Sequence, residues 1–172
     1  MTNSTTVTMK GNPLTLIGNM PKSGDTAPDA EVLNNDLAPV KLSSFRGKTC
    51  ILTSVPSLDT PVCDIETRRF NTEAAGLGSD VVILTISMDL PFAQKRWCGA
   101  AGIQNVITLS DHRTAAFGKA YGVLIQELRL LARSVMVIDR NGVIRYAELV
   151  KEIAEEPNYG AALAAVKSLT VS

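Results

Sequence analysis

The sequence predicts an α/β protein: a single β-sheet with helices on both faces. Three observations carry that reading. Apolar runs rich in β-branched residues at 49–54, 81–87 and 134–138 have strand length and are bounded by turn-forming or polar text. The stretches between them repeat their apolar residues at helical spacing. After the third run, Asn141-Gly142 stands between two apolar segments, the commonest short hairpin signal, and a last helical stretch follows. Strands alternating with helices share one sheet through crossover connections.

In chain order, residues 5–10, the turn residues Gly11-Asn12-Pro13 and residues 14–17 predict an N-terminal β-hairpin over about 5–18. Residues 19–28 hold Pro21, Gly24, Asp25 and Pro28 and read as a loop. A strand at 49–54 leads to a helix over 61–77, with Val62, Ile65, Phe70, Ala74 and Leu77 roughly on one side. A strand at 81–87, a helix at 91–101, a short strand at 106–109 and a short helix at 114–121 follow. Residues 134–138 and 143–149 form the second hairpin. The final helix, 159–169, sets Tyr159, Ala162, Leu163, Val166 and Leu169 on one face. There is no internal repeat.

The 172 residues are enough for one domain, spanning 1–172, with a substantial core. With 17 basic and 17 acidic side chains the formal net charge is zero, so no cationic surplus exists to bind nucleic acid. No aliphatic run exceeds six residues, against the roughly 20 that a membrane span needs. The first eight residues are polar, with neither a cationic start nor an apolar core, which predicts no export signal and a cytoplasmic protein. Three cysteines form an odd set in a chain too large to need disulfide staples. In a reducing compartment, a disulfide among them is more readily catalytic than structural. With no Cys-x-x-Cys and His112 as the only histidine, no metal site is expected.

The three sulfurs differ in setting. Thr60-Pro61 opens a predicted helix directly after a strand: Thr is a good N-cap, and Pro suits the first helical position because its missing N–H has no helical partner to lose. Cys63 is then the third helical residue, where unpaired N–H groups and the positive end of the helix dipole favour an anion. A thiol held there tends toward its nucleophilic thiolate. The competing reading is a small apolar residue packed beneath the strand. Cys50 lies inside the strand at 49–54 and reads as packing. Cys98 lies 35 residues after Cys63, on or near a helix. His112, in Ser110-Asp111-His112-Arg113, sits in polar text and reads as solvated.

The segment Pro56-x-x-x-Thr60-x-x-Cys63 resembles the active-site motif of peroxiredoxins. Met9-Lys10-Gly11-Asn12-Pro13, Pro56-Ser57-Leu58-Asp59-Thr60, Trp97-Cys98-Gly99-Ala100, Leu131-Ala132-Arg133-Ser134 and Glu155-Glu156-Pro157-Asn158-Tyr159 narrow the likeness to the atypical two-Cys peroxiredoxins, the bacterial thiol peroxidase family. The resemblance runs from about residue 7 into the last helix. It implies a thioredoxin-like fold, with a central mixed β-sheet flanked by helices and an N-terminal β-hairpin.

It also implies roles. Cys63 would attack a hydroperoxide and become a sulfenic acid, and Cys98 would condense with that acid into an intramolecular disulfide. Thr60 would hydrogen-bond the peroxide as well as cap its helix, Pro56 would shield the sulfur from water, and Arg133 would stabilise the thiolate and the breaking O–O bond. Thioredoxin would return the electrons, no bound cofactor is implied, and the family commonly forms homodimers. If Cys63 and Cys98 start on separate helices, one segment must unwind for them to meet, and Gly99 and Gly102 mark the side of Cys98. Two other readings compete. A Cys–His hydrolase would pair Cys63 with His112 but leaves Cys98, Pro56 and Thr60 without a task. A redox sensor would use the same disulfide to alter a binding surface.

Overall fold

The computed structural model describes residues 5–74 and 76–170. In chain order the elements are β1 (Thr6–Met9), β2 (Asn12–Ile17), β3 (Glu31–Leu33), β4 (Pro39–Lys41), a 3₁₀ turn (Leu42–Phe45), β5 (Thr49–Ser54), α1 (Pro61–Ala74), β6 (Val81–Ser87), α2 (Pro91–Ala101), β7 (Ile107–Ser110), α3 (Ala116–Ala120), β8 (Leu124–Ile125), β9 (Leu130–Leu131), β10 (Ser134–Ile138), β11 (Ile144–Leu149) and α4 (Tyr159–Thr170). Seven strands form a mixed sheet in the order β11-β10-β5-β6-β7-β3-β4. Strands β5, β6 and β7 run parallel through the crossover helices α1 and α2, while β10 pairs antiparallel with β5.

Both faces of this sheet are covered, which is why its central strands read as unbroken apolar runs. Alternate residues divide between the faces. Ile51, Ile83, Val135 and Val137 meet Phe70 of α1 and Tyr159, Ala162, Leu163 and Val166 of α4. Cys50, Leu52, Leu84, Ile86 and Met136 meet Val7, Leu16, Phe117, Tyr121 and Ile125 on the other side. Burying each such large apolar side chain contributes roughly 1.5–3 kcal/mol. Two polar residues of β5 are satisfied across the sheet: Thr53 Oγ1 donates to Thr85 Oγ1 at 2.9 Å, and Ser54 Oγ lies 2.6 Å from Ser134 Oγ.

The N-terminal hairpin is present, with a different turn. Lys10 and Gly11, at φ 51° and 81°, are its two central residues, as a two-residue hairpin turn with positive φ requires. Asn12 and Pro13 therefore belong to β2, paired with Met9 and Thr8. This hairpin continues into a four-stranded sheet, β1-β2-β8-β9, of which β8 and β9 are two residues each, so the chain forms two sheets where its strand pattern predicts one.

Helix α1 ends at Ala74 and buries a different face from the one its apolar spacing suggests. Cys63, Glu66, Thr67 and Phe70 point inward, while Ile65 is half exposed. A buried guanidinium, described below, accounts for the inward carboxylate. Among the described residues, no helix is long and apolar enough to cross a membrane.

One register positions the site. Ser134, first in β10, pairs with Ser54, last in β5. Arg133, just before β10, therefore lies where the chain leaves β5 for α1.

Candidate active site

Beyond β5, Val55 N–H donates to Ile86 O at 3.0 Å, and Pro56 is buried. The chain then turns through residues 57–60. Asp64 N–H donates to Thr60 O at 3.0 Å, the first helical bond of α1, so Thr60 occupies the N-cap position and Cys63 is the third helical residue. The Thr60 hydroxyl gives its hydrogen to Ser57 O at 2.9 Å, which leaves the oxygen's lone pairs as an acceptor.

Cys63 is fully buried against Val55, Leu58 and Trp97. Arg133 Nη2 donates to its Sγ at 3.2 Å. The guanidinium is itself buried and tied on all sides: Nε and Nη2 donate to Ile153 O at 3.1 and 2.9 Å, and Nη1 to Glu66 Oε2 at 2.5 Å. An arginine cannot shed its charge, so a buried one requires anionic or carbonyl partners. Glu66 stands one helical turn after Cys63, and the two acids share one cation. Burial pushes the Glu66 carboxyl up to about 7, against the pull of Arg133, with Glu148 and Glu156 adding to the rise. Its Oε1 is buried without a hydrogen-bond partner among the described residues.

Cys98 lies on α2 and is half-buried, its Sγ 3.4 Å from Thr108 Oγ1. All three cysteines are free thiols. Trp97 stands between the two helices: its indole packs in the Cys63 cluster and its Nε1 donates to Asp64 Oδ1 at 3.0 Å. Arg68 completes this seam, bonding Asp64 Oδ2 at 2.9 Å with its guanidinium 5.9 Å from the indole centroid. Leu58 and Trp97 also line an open cleft of about 700 Å³, together with Ser57, Asp89, Phe92 and Arg96.

The structure thus brings Arg133 directly to Cys63 and sets Pro56 and Thr60 in the connection that leads to it, while Cys98 faces Thr108. Cys50 is buried in β5, and burial pushes its thiol up to about 12. His112 differs from its sequence reading. It is half-buried, two residues after β7, and its Nε2 is buried without a partner among the described residues. The group on Cys63 is a guanidinium, so the hydrolase reading has no base. No group of three His, Cys, Asp or Glu among the described residues is placed to hold a metal ion.

Four features escaped the sequence: Glu66, the Ile153 carbonyl, Asp89 and the Trp97–Asp64 bond. Only Glu66 left a signal there, an acid at i+3 from Cys63 on one helix.

A cysteine in the first turn of a helix, beneath a buried guanidinium on a mixed α/β sheet, defines a redox-active thiol protein. Comparison with known proteins gives the family. Residues 22–163 match the redoxin family model. The thiol peroxidase of Bacillus subtilis strain 168 is 57% identical over 163 residues, 95% of this chain and 97% of its own length. That of Halalkalibacterium halodurans is 56% identical over 162 residues, 94% and 97% of the two chains. A crystal structure of a peroxiredoxin-like protein from Aquifex aeolicus superposes with a TM-score of 0.89 at 47% identity, covering 95% of this chain and 96% of that one. The thiol peroxidase from Chromobacterium violaceum, at 22% identity and TM-score 0.85 over 95% of each chain, shares the fold. The chain belongs to the redoxin family, among its thiol peroxidases, and has their thioredoxin-like fold.

Proposed function

We propose that this chain, acting as one domain, reduces hydrogen peroxide and organic hydroperoxides through Cys63. It is a thiol-dependent peroxidase, and the Arg133 Nη2–Cys63 Sγ bond of 3.2 Å is the observation that carries the assignment of the sulfur. The thiolate attacks one peroxide oxygen and the O–O bond breaks. Cys63 becomes a sulfenic acid, and the departing alkoxide or hydroxide takes a proton to give alcohol or water. Arg133 balances charge on sulfur and on the breaking bond. Thr60 Oγ1, its own hydrogen committed to Ser57 O, accepts the hydrogen bond of the hydroperoxide O–H. Pro56 closes the site against water.

Cys98 then displaces water from the sulfenic acid, forming the Cys63–Cys98 disulfide and sparing Cys63 further oxidation. Because α2 is a complete helix with Cys98 turned to Thr108, this step requires the stretch around Gly99 and Gly102 to unwind. A thioredoxin dithiol reduces the disulfide and restores both thiols. The chain works as a homodimer in the cytoplasm, whose reducing pool keeps the thiols free between turnovers.

The test is peroxide consumption coupled to thioredoxin and its reductase. Cys63→Ser abolishes it; Cys98→Ser permits one oxidation per chain and then stops. Full turnover by Cys63→Ser would overturn the assignment.

A further inference from the structure

Asp89 sits between β6 and α2, yet its carboxylate reaches back to the connection that precedes Cys63. Oδ1 accepts a hydrogen bond from Ser57 Oγ at 2.6 Å, and Oδ2 accepts from Leu58 N–H at 2.8 Å and from Ser87 Oγ at 2.7 Å. The Asp89 backbone is pinned from behind: its N–H donates to Ser87 Oγ at 3.3 Å, and its carbonyl accepts from Ser110 Oγ at 2.5 Å. Ser87 Oγ also receives Gln94 Nε2 at 3.0 Å. The ends of β6 and β7 and the first turns of α2 thus fix one carboxylate, which grips residues 57 and 58. Among the described residues, these two bonds are the only side-chain hydrogen bonds reaching residues 56–60 from outside that segment.

What the grip controls follows from the next bonds along. The Ser57 carbonyl accepts Thr60 N–H at 3.3 Å and the Thr60 hydroxyl at 2.9 Å. Leu58, 3% exposed, packs against Cys63. Ser57 therefore decides which way the Thr60 hydrogen points, and Leu58 forms part of the wall around the sulfur. Bonds to a carboxylate are stronger than neutral ones, which suits an anchor that must hold a short connection rigid.

We propose that Asp89 is a positioning residue for peroxide reduction: it holds Ser57 and Leu58 so that the Thr60 oxygen is presented as an acceptor beside Cys63. This rests on the peroxidase reading of Cys63. Asp89 acts on the peroxide's orientation and leaves the sulfur's own partner, Arg133, untouched.

The experiment compares two reagents on Cys63 in rapid-mixing, single-turnover runs. Cumene hydroperoxide needs the Thr60 acceptor; iodoacetamide does not. Asp89→Ala lowers the rate with the hydroperoxide at least tenfold and leaves alkylation, and its pH profile, within twofold. Asp89→Asn, which keeps the shape and one acceptor, gives a smaller loss in the same direction and serves if the alanine variant fails to fold. In a Thr60→Ala background, Asp89→Asn brings no further loss, since its effect passes through Thr60. Equal losses with both reagents, an undiminished hydroperoxide rate, or losses that multiply with Thr60→Ala would each overturn the proposal. If hydroperoxide does not oxidise Cys63 in the unaltered protein, the peroxidase reading itself fails, whatever Asp89 does.

Discussion

Trp97 donates its indole N–H to Asp64 Oδ1 at 3.0 Å, so the residue before Cys98 is bonded to the residue after Cys63. The two helices that carry the thiols are fastened together at their sulfurs' immediate neighbours. In the proposed mechanism α2 unwinds where that bond sits so that the disulfide can form. The seam opposes the chemistry of its own neighbours.

Trp97→Phe keeps a ring against Cys63 and removes the N–H. Losing about 1 kcal/mol of hydrogen bonding raises the opened population about fivefold. Disulfide formation after sulfenic acid formation should accelerate by a similar factor, read by acid quench and intact-mass analysis. An unchanged or slower second step would show that the bond does not hold the helix closed.

Glu66 gives the fold a pH dependence of defined sign. Burial raises its carboxyl from 4.5 to about 7, so between those values the folded chain keeps a proton that the unfolded chain has released. Its contribution to stability is complete below about 4.5 and is lost as the pH rises through 7. Glu66→Gln cannot titrate there. Denaturation curves at pH 4.5 and 8 should show the unaltered protein losing stability relative to the variant, on the order of 2–3 kcal/mol.

Arg133→Met separates folding from catalysis. At pH 8, where Glu66 is ionised beside Arg133, it leaves that carboxylate buried without its cation, which costs roughly 3–5 kcal/mol when such a pair is broken from one side. Adding Glu66→Gln to Arg133→Met should recover much of that stability in chemical denaturation. The rate of Cys63 oxidation should stay down by about 10²–10³ in both variants, the scale of losing a donor aimed at developing charge. Recovery of the rate with stability would mean that Arg133 only supports the fold.

Cys50 should be chemically silent. Burial holds its thiol near 12, so in the folded protein it stays protonated and unlabelled by iodoacetamide at neutral pH. Cys50→Ala should cost about 1 kcal/mol, the scale of one buried methylene, and leave peroxide turnover within twofold.

Cys63 was legible because everything that marks it is local: strand, Thr60, Pro61 and position in the first turn are consecutive text. The central strands were legible for a similar reason, since burial on both faces writes them as apolar runs. The inward face of α1 was not. Counting apolar residues selects Ile65, whereas the face that turns inward carries Glu66 and Thr67, because Arg133 needs an anion and Thr67 Oγ1 bonds the Cys63 carbonyl at 2.8 Å. No local pattern announces a partner 67 residues away. The pairs β3–β4 and β8–β9 were invisible too, since two or three residues are too few to show a period.

The pairing of Ser134 with Ser54 carries a consequence in time. Cys63 and Arg133 are 70 residues apart, and the Ile153 carbonyl that fixes the guanidinium comes another 20 later. A chain being synthesised holds its sulfur long before its cation, and a β10 paired one residue out of register would turn Arg133 to the wrong face. Reactivity toward peroxide therefore arrives last, after the sheet has closed correctly. Half-folded and misregistered chains should carry a thiol without its cation, and the onset of full turnover during refolding should report the closing of the sheet.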